Sequence, residues 1–143
     1  MRIARTVART SNCSRRQVGA VIACDDVFLI SAANGTPTGV LACKAGGCLR
    51  CLSNTPSGES YDSCICIHAE QAAIAQAANK GVSVQGATMY CTLRPCLNCL
   101  NLCLHSGIST VVYDEYLQFS SDVEEAYAQL LEGGQIRVIR CSE

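Results

Sequence analysis

Apolar positions fall in short blocks whose spacing changes along the chain. Ile3, Ala4, Val7 and Ala8 recur at helical intervals and predict a short amphipathic helix over residues 3–9. Residues 18–24 form an apolar run bounded by turn residues, which reads as a buried strand. Asp25-Asp26 then turns the chain into a second strand over 27–32. A Gly/Pro loop occupies 34–39, and from 40 to 61 periodicity gives way to Gly, Ser, Asn and Cys. Order returns with an Ala-rich helix over 68–80, stopped by Gly81. A strand over 87–92 follows, then a helix opened by Pro95 and running to about 106, before Gly107. A strand over 110–113, a helix over 122–131 and a last strand over 135–140 complete the pattern. Strands alternating with helices predict an α/β layered sheet, and 143 residues suit one domain over 1–143 with one core.

With 49% apolar residues but two Phe and no Trp, that core must be built from Ala, Val, Ile, Leu and Cys. The net charge of −1 supplies no electrostatic footprint for a nucleic-acid groove, although Arg15, Arg16 or Arg94 could still meet a small anion. No apolar run is long enough to span a membrane. Residues 1–20 lack the apolar stretch of a secretory signal. Their scattered Arg residues resemble a transit peptide in composition, but the segment runs straight into a strand, so a cytoplasmic location is expected. In a reducing compartment, twelve cysteines read as metal-bound or buried thiols rather than disulfides.

The densest chemistry is His68-Ala69-Glu70 followed by Pro95-Cys96-Leu97-Asn98-Cys99. His68, Cys96 and Cys99 are three ligands for a tetrahedral Zn²⁺ whose fourth position stays open, which is the catalytic rather than the structural kind of site. Zinc brings the pKa of bound water toward neutrality, and Glu70, two residues past the histidine, is placed to move protons without ligating. The H-x-E…P-C-x-x-C order is the signature of zinc nucleobase deaminases, in which one carboxylate serves as base and then as acid. Taken singly, the parts are ordinary: a capping histidine, a redox or structural C-x-x-C, an Ala-rich packing helix. Together, in this order, they leave little room for that reading. Cys103 lies one helical turn beyond Cys99 and reads as core, like Cys24, Cys91 and Cys141, while His105 reads as a helix-end surface residue.

The other cysteines, Cys13, Cys43, Cys48, Cys51, Cys64 and Cys66, cluster around the aperiodic segment 40–66. A long loop inside a compact domain needs a staple or a function. Four of Cys13, Cys43, Cys48, Cys51 and Cys66 are expected to close a structural zinc, the alternative being free thiols in a loose loop. Spacing alone does not choose the four.

Several stretches resemble the deoxycytidylate (dCMP) deaminases of the cytidine deaminase superfamily. They are Cys13-Ser14 with Val18-Gly-Ala-Val21, Asn34-Gly-Thr-Pro-Thr-Gly39, Gly46-Gly-Cys48-Leu-Arg-Cys51, Ser63-Cys-Ile-Cys-Ile-His-Ala-Glu70, Ala87-Thr-Met-Tyr90, Arg94-Pro-Cys-Leu-Asn-Cys99 and Ser106-Gly-Ile-Ser-Thr-Val-Val-Tyr113. The resemblance implies a three-layer α/β/α fold with a five-stranded mixed sheet. It implies catalytic zinc on His68, Cys96 and Cys99, Glu70 as proton shuttle, a homo-oligomer and deamination of dCMP. It further implies a second zinc on Cys13, Cys43 and Cys66 with either Cys48 or Cys51. Asn34 matches a residue beside the substrate sugar, and Ala69 and Arg94 complete the candidate substrate contacts.

The chain also departs from the family. Ala32-Ala33 stands where Gly-Tyr is usual, Ala72 where Asn is usual, and Arg94 where a small residue is common. These changes touch the pocket wall and not the zinc set, so a different aminopyrimidine nucleotide, nucleoside or base stays open. A polynucleotide substrate would want a basic stripe and stacking aromatics, which are scarce here. A binding module that has lost catalysis would show a replaced Glu70 or a missing ligand, and neither is replaced.

Overall fold

The apolar runs become five strands of one sheet: β1 Gly19–Cys24, β2 Val27–Ala33, β3 Thr88–Leu93, β4 Thr110–Glu115 and β5 Arg137–Arg140. The computed structural model describes residues 1–25, 27–57 and 59–141, so Asp26 of the expected Asp25-Asp26 turn lies outside the described residues. Strand order is β2-β1-β3-β4-β5. The β1 strand runs antiparallel to β2 and β3, whereas β3, β4 and β5 are parallel, so the sheet is mixed. Among the described residues five helices accompany it: α1 Arg2–Ala8, α2 Leu49–Leu52, α3 Ala69–Lys80, α4 Leu97–His105 and α5 Ser121–Gly133.

Register explains the layering. Ile30, Ile22, Met89, Val111 and Val138 stand opposite one another across the five strands, and Ala32, Ala20, Cys91 and Tyr113 form the next row. Because side chains alternate along a strand, both rows face one way. They pack on Ala69, Ala73 and Ala77 of α3, Leu100 and Cys103 of α4 and Tyr127 of α5. Small side chains let α3 approach β1 and β2 closely. The opposite face of β1 carries Gly19, where a Cβ would land on the backbone of Ala4 and Ala8, so α1 lies against that face. The result is a sheet with α1 on one side and α3, α4 and α5 on the other.

The described residues of the long aperiodic segment contain two 3₁₀ turns, Cys43–Ala45 and Tyr61–Ser63, besides the single turn of α2. Its aliphatic side chains point outward, Leu49 being 82% exposed, while the buried residues of its local core are all cysteines. One antiparallel bridge, Gly35 with Ile67, ties the 34–39 loop to the chain just before His68. Cys91 and Cys103 are fully buried, as expected of core thiols, whereas Cys24 and Cys141 are only partly so. His105 is exposed. The helix expected to open at Pro95 starts instead at Leu97, because Cys96 keeps an extended backbone (φ −71°, ψ 166°) as its cap.

Candidate metal centre

The two halves of the motif meet because each starts a helix on the same side of the sheet. His68 caps α3, and its backbone N–H donates to Gln71 Oε1 at 3.2 Å. Cys96 caps α4 and Cys99 lies in its first turn. His68 Nδ1 sits 3.3 Å from Cys99 Sγ and 3.5 Å from Cys96 Sγ. The three donor atoms all lie within 4.8 Å of one another. Zn–N and Zn–S bonds at tetrahedral angles place N and S about 3.5 Å apart and two S about 3.8 Å apart. One borderline nitrogen and two soft sulfurs at these separations fit Zn²⁺.

Electrostatics divides labour among the four groups. Burial pushes the Glu70 carboxyl up to about 6, a rise its own backbone N–H and His68 only partly offset. Cys96 is held down to about 4, first by the hydrogen bond from the Cys99 thiol and then by His68, while Cys99 is pushed up by the same contact and by burial. The Cys96 hydrogen bond raises His68 in turn. Glu70 is thus a buried carboxyl poised near neutrality beside a three-donor set.

Six more thiols gather in a second cluster. Cys13, Cys43, Cys51 and Cys66 lie within 4.8 Å of one another, and so do Cys48, Cys51, Cys64 and Cys66. Of the alternatives Cys48 and Cys51, it is Cys51 that joins Cys13, Cys43 and Cys66. Cys64 is a member that the five-cysteine expectation left out. Its signal was legible: in extended chain residues two apart face the same side, and Ile65 between Cys64 and Cys66 points outward. Tyr61, from the same loop, meets the His68 ring edge-on at 6.0 Å, and the Arg50 guanidinium stacks on Tyr61 at 4.5 Å.

Residues 1–115 match the family model for the cytidine and deoxycytidylate deaminase zinc-binding region. The chain belongs to this deaminase family. It is 36% identical over 137 residues to deoxycytidylate deaminase of Schizosaccharomyces pombe, covering 96% of this chain and 42% of that protein. It is 37% identical over 134 residues to the Saccharomyces cerevisiae enzyme of the same name, covering 94% and 41%. The chain therefore spans about two fifths of the length of these curated relatives. The solved dCMP deaminase of cyanophage S-TIM5, in complex with dCMP and dUMP, superimposes with a TM-score of 0.70 at 26% identity, covering 98% of this chain and 92% of that one.

Among the expected substrate contacts of this deaminase-family chain, Asn34 is partly exposed but heavily bonded. Its Oδ1 accepts from Ser11 Oγ and the Val18 N–H, and its Nδ2 donates to the Arg16 carbonyl. Ala69 is fully buried in the core under α3, with no exposed surface to offer a ligand. Arg94 spends its guanidinium elsewhere. It makes a two-pronged pair with Glu124 at 2.7 and 2.9 Å, donates to the Leu117 carbonyl, and lies within 5.1 Å of the ring centres of Tyr116, Phe119 and Tyr127. A substrate anion would have to displace Glu124 to reach it. The missed partner stands 30 residues away in sequence, beyond any local pattern.

Proposed function

We propose that this domain hydrolyses the exocyclic amine of a cytosine nucleotide, converting dCMP and water to dUMP and ammonia. The observation that carries the reading is the buried Glu70 carboxyl beside His68, Cys96 and Cys99. The two yeast relatives bear the name of that activity, and the cyanophage relative holds its substrate and product. Zn²⁺ held by His68, Cys96 and Cys99 supplies Lewis-acid activation of water. Glu70 takes the proton that water gives up and passes it to the ring nitrogen of the aminopyrimidine. Once the water oxygen has bonded to the ring carbon, Glu70 takes that oxygen's remaining proton and delivers it to the amine as the C–N bond breaks, a double duty suited to a carboxyl raised to about 6. The loop at 34–39 is pinned by the Gly35–Ile67 bridge next to His68, which supports the reading of Asn34 as a contact for the substrate sugar.

A second reading, an altered aminopyrimidine, is favoured by Ala33 and Ala72, where the resembling enzymes carry a tyrosine and an asparagine. Ammonia release from dCMP, CMP, deoxycytidine, cytidine and cytosine, with Glu70→Gln as control, tests both. We expect dCMP to lead, and Glu70→Gln to lose about a thousandfold or more in kcat with zinc content unchanged. Efficient turnover of another base with none of dCMP moves the reading to the altered substrate. Zinc-replete protein inert on all five removes the cytosine reading. The adjacent exposed pair Val27 and Phe28 on the edge strand β2 supports a homo-oligomer, which sedimentation equilibrium checks. Among the described residues no helix is long and apolar enough to cross a membrane.

A further inference from the structure

We propose that Cys13, Cys43, Cys48, Cys51, Cys64 and Cys66 hold two metal ions in one binuclear thiolate cluster, with Cys51 and Cys66 as the bridging ligands. The inference is independent of the deaminase activity and differs from a single structural zinc in both ion count and ligand set.

Three observations carry it. The first is that two four-thiol groups share two members: Cys13, Cys43, Cys51 and Cys66 form one, and Cys48, Cys51, Cys64 and Cys66 the other. One ion in either group strands two thiols of the other beside it. Two ions that share Cys51 and Cys66 give each a complete tetrahedron and use all six. The second is distance. The Sγ separations Cys48–Cys64 and Cys51–Cys64 are 3.8 Å, and Cys51–Cys66 is 3.9 Å. A tetrahedral zinc with sulfur ligands has edges of about 3.8 Å.

The third is that, among the described residues, no aliphatic core holds this part of the chain. The buried members of the local core are Cys13, Cys43, Cys48 and Cys51, packed against Cys64 and Cys66. Around them Leu41, Leu49 and Leu52 face solvent. Two 3₁₀ turns and one helical turn are too short to persist alone. A metal-thiolate cluster supplies the folding free energy that an aliphatic core would otherwise provide.

The surroundings suit anionic sulfur. The backbone N–H and hydroxyl of Ser14 both lie 3.4 Å from Cys43 Sγ. Backbone N–H groups of Cys51 and Ile65 donate to Cys48. Cys48 caps α2 and Cys51 lies in its first turn, the same local arrangement that Cys96 and Cys99 adopt on α4. The chemical class of ligand is a thiophilic divalent d¹⁰ cation, Zn²⁺ or its surrogate Cd²⁺.

Metal counting decides the matter. The intact chain, purified with zinc, is analysed by elemental mass spectrometry against quantitative amino-acid analysis. We expect three zinc per chain, and two in His68→Ala, which removes the separate three-donor site. Cys48→Ser and Cys64→Ser should each drop the count by one and leave turnover measurable. The ¹¹³Cd-exchanged protein should show two thiolate-bound cadmium resonances split by each other through the shared sulfurs. One zinc per chain in His68→Ala, unchanged counts in both serine variants, or cadmium signals without mutual splitting would each overturn the proposal. If a variant does not fold, the wild-type count of three against two and the wild-type cadmium spectrum decide. Loss of deaminase activity with three zinc present would sink the catalytic reading and leave the cluster standing.

Discussion

Replacing Glu124 by glutamine removes a charge from α5 while keeping its shape, and leaves the Arg94 guanidinium inside an aromatic box. The Arg94 side chain is 9% exposed and Glu124 26%, so the pair is neither deeply buried nor free in water. Breaking a fully buried pair costs about 3–5 kcal/mol, whereas an exposed pair contributes up to about 1 kcal/mol. The geometry lies between these limits. The Leu117 carbonyl remains bonded to Arg94, and the Tyr127 ring centre at 4.3 Å retains a cation–π contact. We therefore expect Glu124→Gln to destabilise by about 2 kcal/mol at pH 7. It should appear as a lower urea midpoint at constant m.

The pH dependence supplies the check. The hydrogen bonds from Arg94 and then from the Phe119 N–H hold Glu124 down to about 2, below its usual 4.5. A carboxyl depressed on folding stabilises above its unfolded pKa, and that stabilisation is lost as pH falls through the folded one. The gap between wild type and Glu124→Gln should therefore be full above about pH 5 and close toward pH 2. Taking the difference cancels acid release of metal, which both proteins share. Adding Arg94→Met to Glu124→Gln should cost less than the sum of the single changes. A gap under about 0.5 kcal/mol at pH 7, or one that does not change with pH, would refute the reasoning.

Two further outcomes follow from the packing. A methyl group at Gly19 has no room against the backbone of Ala4 and Ala8, so Gly19→Ala should destabilise by about 1–3 kcal/mol in the same urea assay by lifting α1 from the sheet. Stripping zinc with a chelator should expose the 40–66 segment to proteolysis while the fragment bearing β3, β4 and β5 stays resistant. Uniform digestion of the whole chain would show that the segment does not depend on metal.

How much of this was readable beforehand varies with the range of the interactions. The five strands and the His68, Cys96 and Cys99 donors follow from local signals: apolar runs between turns, and two motif halves that each start a helix. Boundaries moved where a cap residue stayed extended, as at His68 and Cys96, so that the helices begin at Ala69 and Leu97. The Cys-rich loop showed its need for a staple, but its six-thiol arrangement depends on Cys13 meeting Cys43 and Cys66 across long stretches of chain. Arg94 read as a substrate contact because its partner Glu124 lies on a later helix. Glu70's burial, which sets its proton affinity, comes from tertiary packing that no pattern displays.

The chain between His68 and Cys96, the two halves of the three-donor set, is a single out-and-back excursion. Helix α3 carries it about 18 Å from His68 at 1.5 Å per residue, and β3 returns it to Cys96. At the far end Gln85 and Gly86 are exposed, and a side chain at Gly86 would meet nothing. A break at that turn would leave His68 and Glu70 on one fragment and Cys96 and Cys99 on the other. Capture of an ion by His68, Cys96 and Cys99 together would then require the two fragments to join.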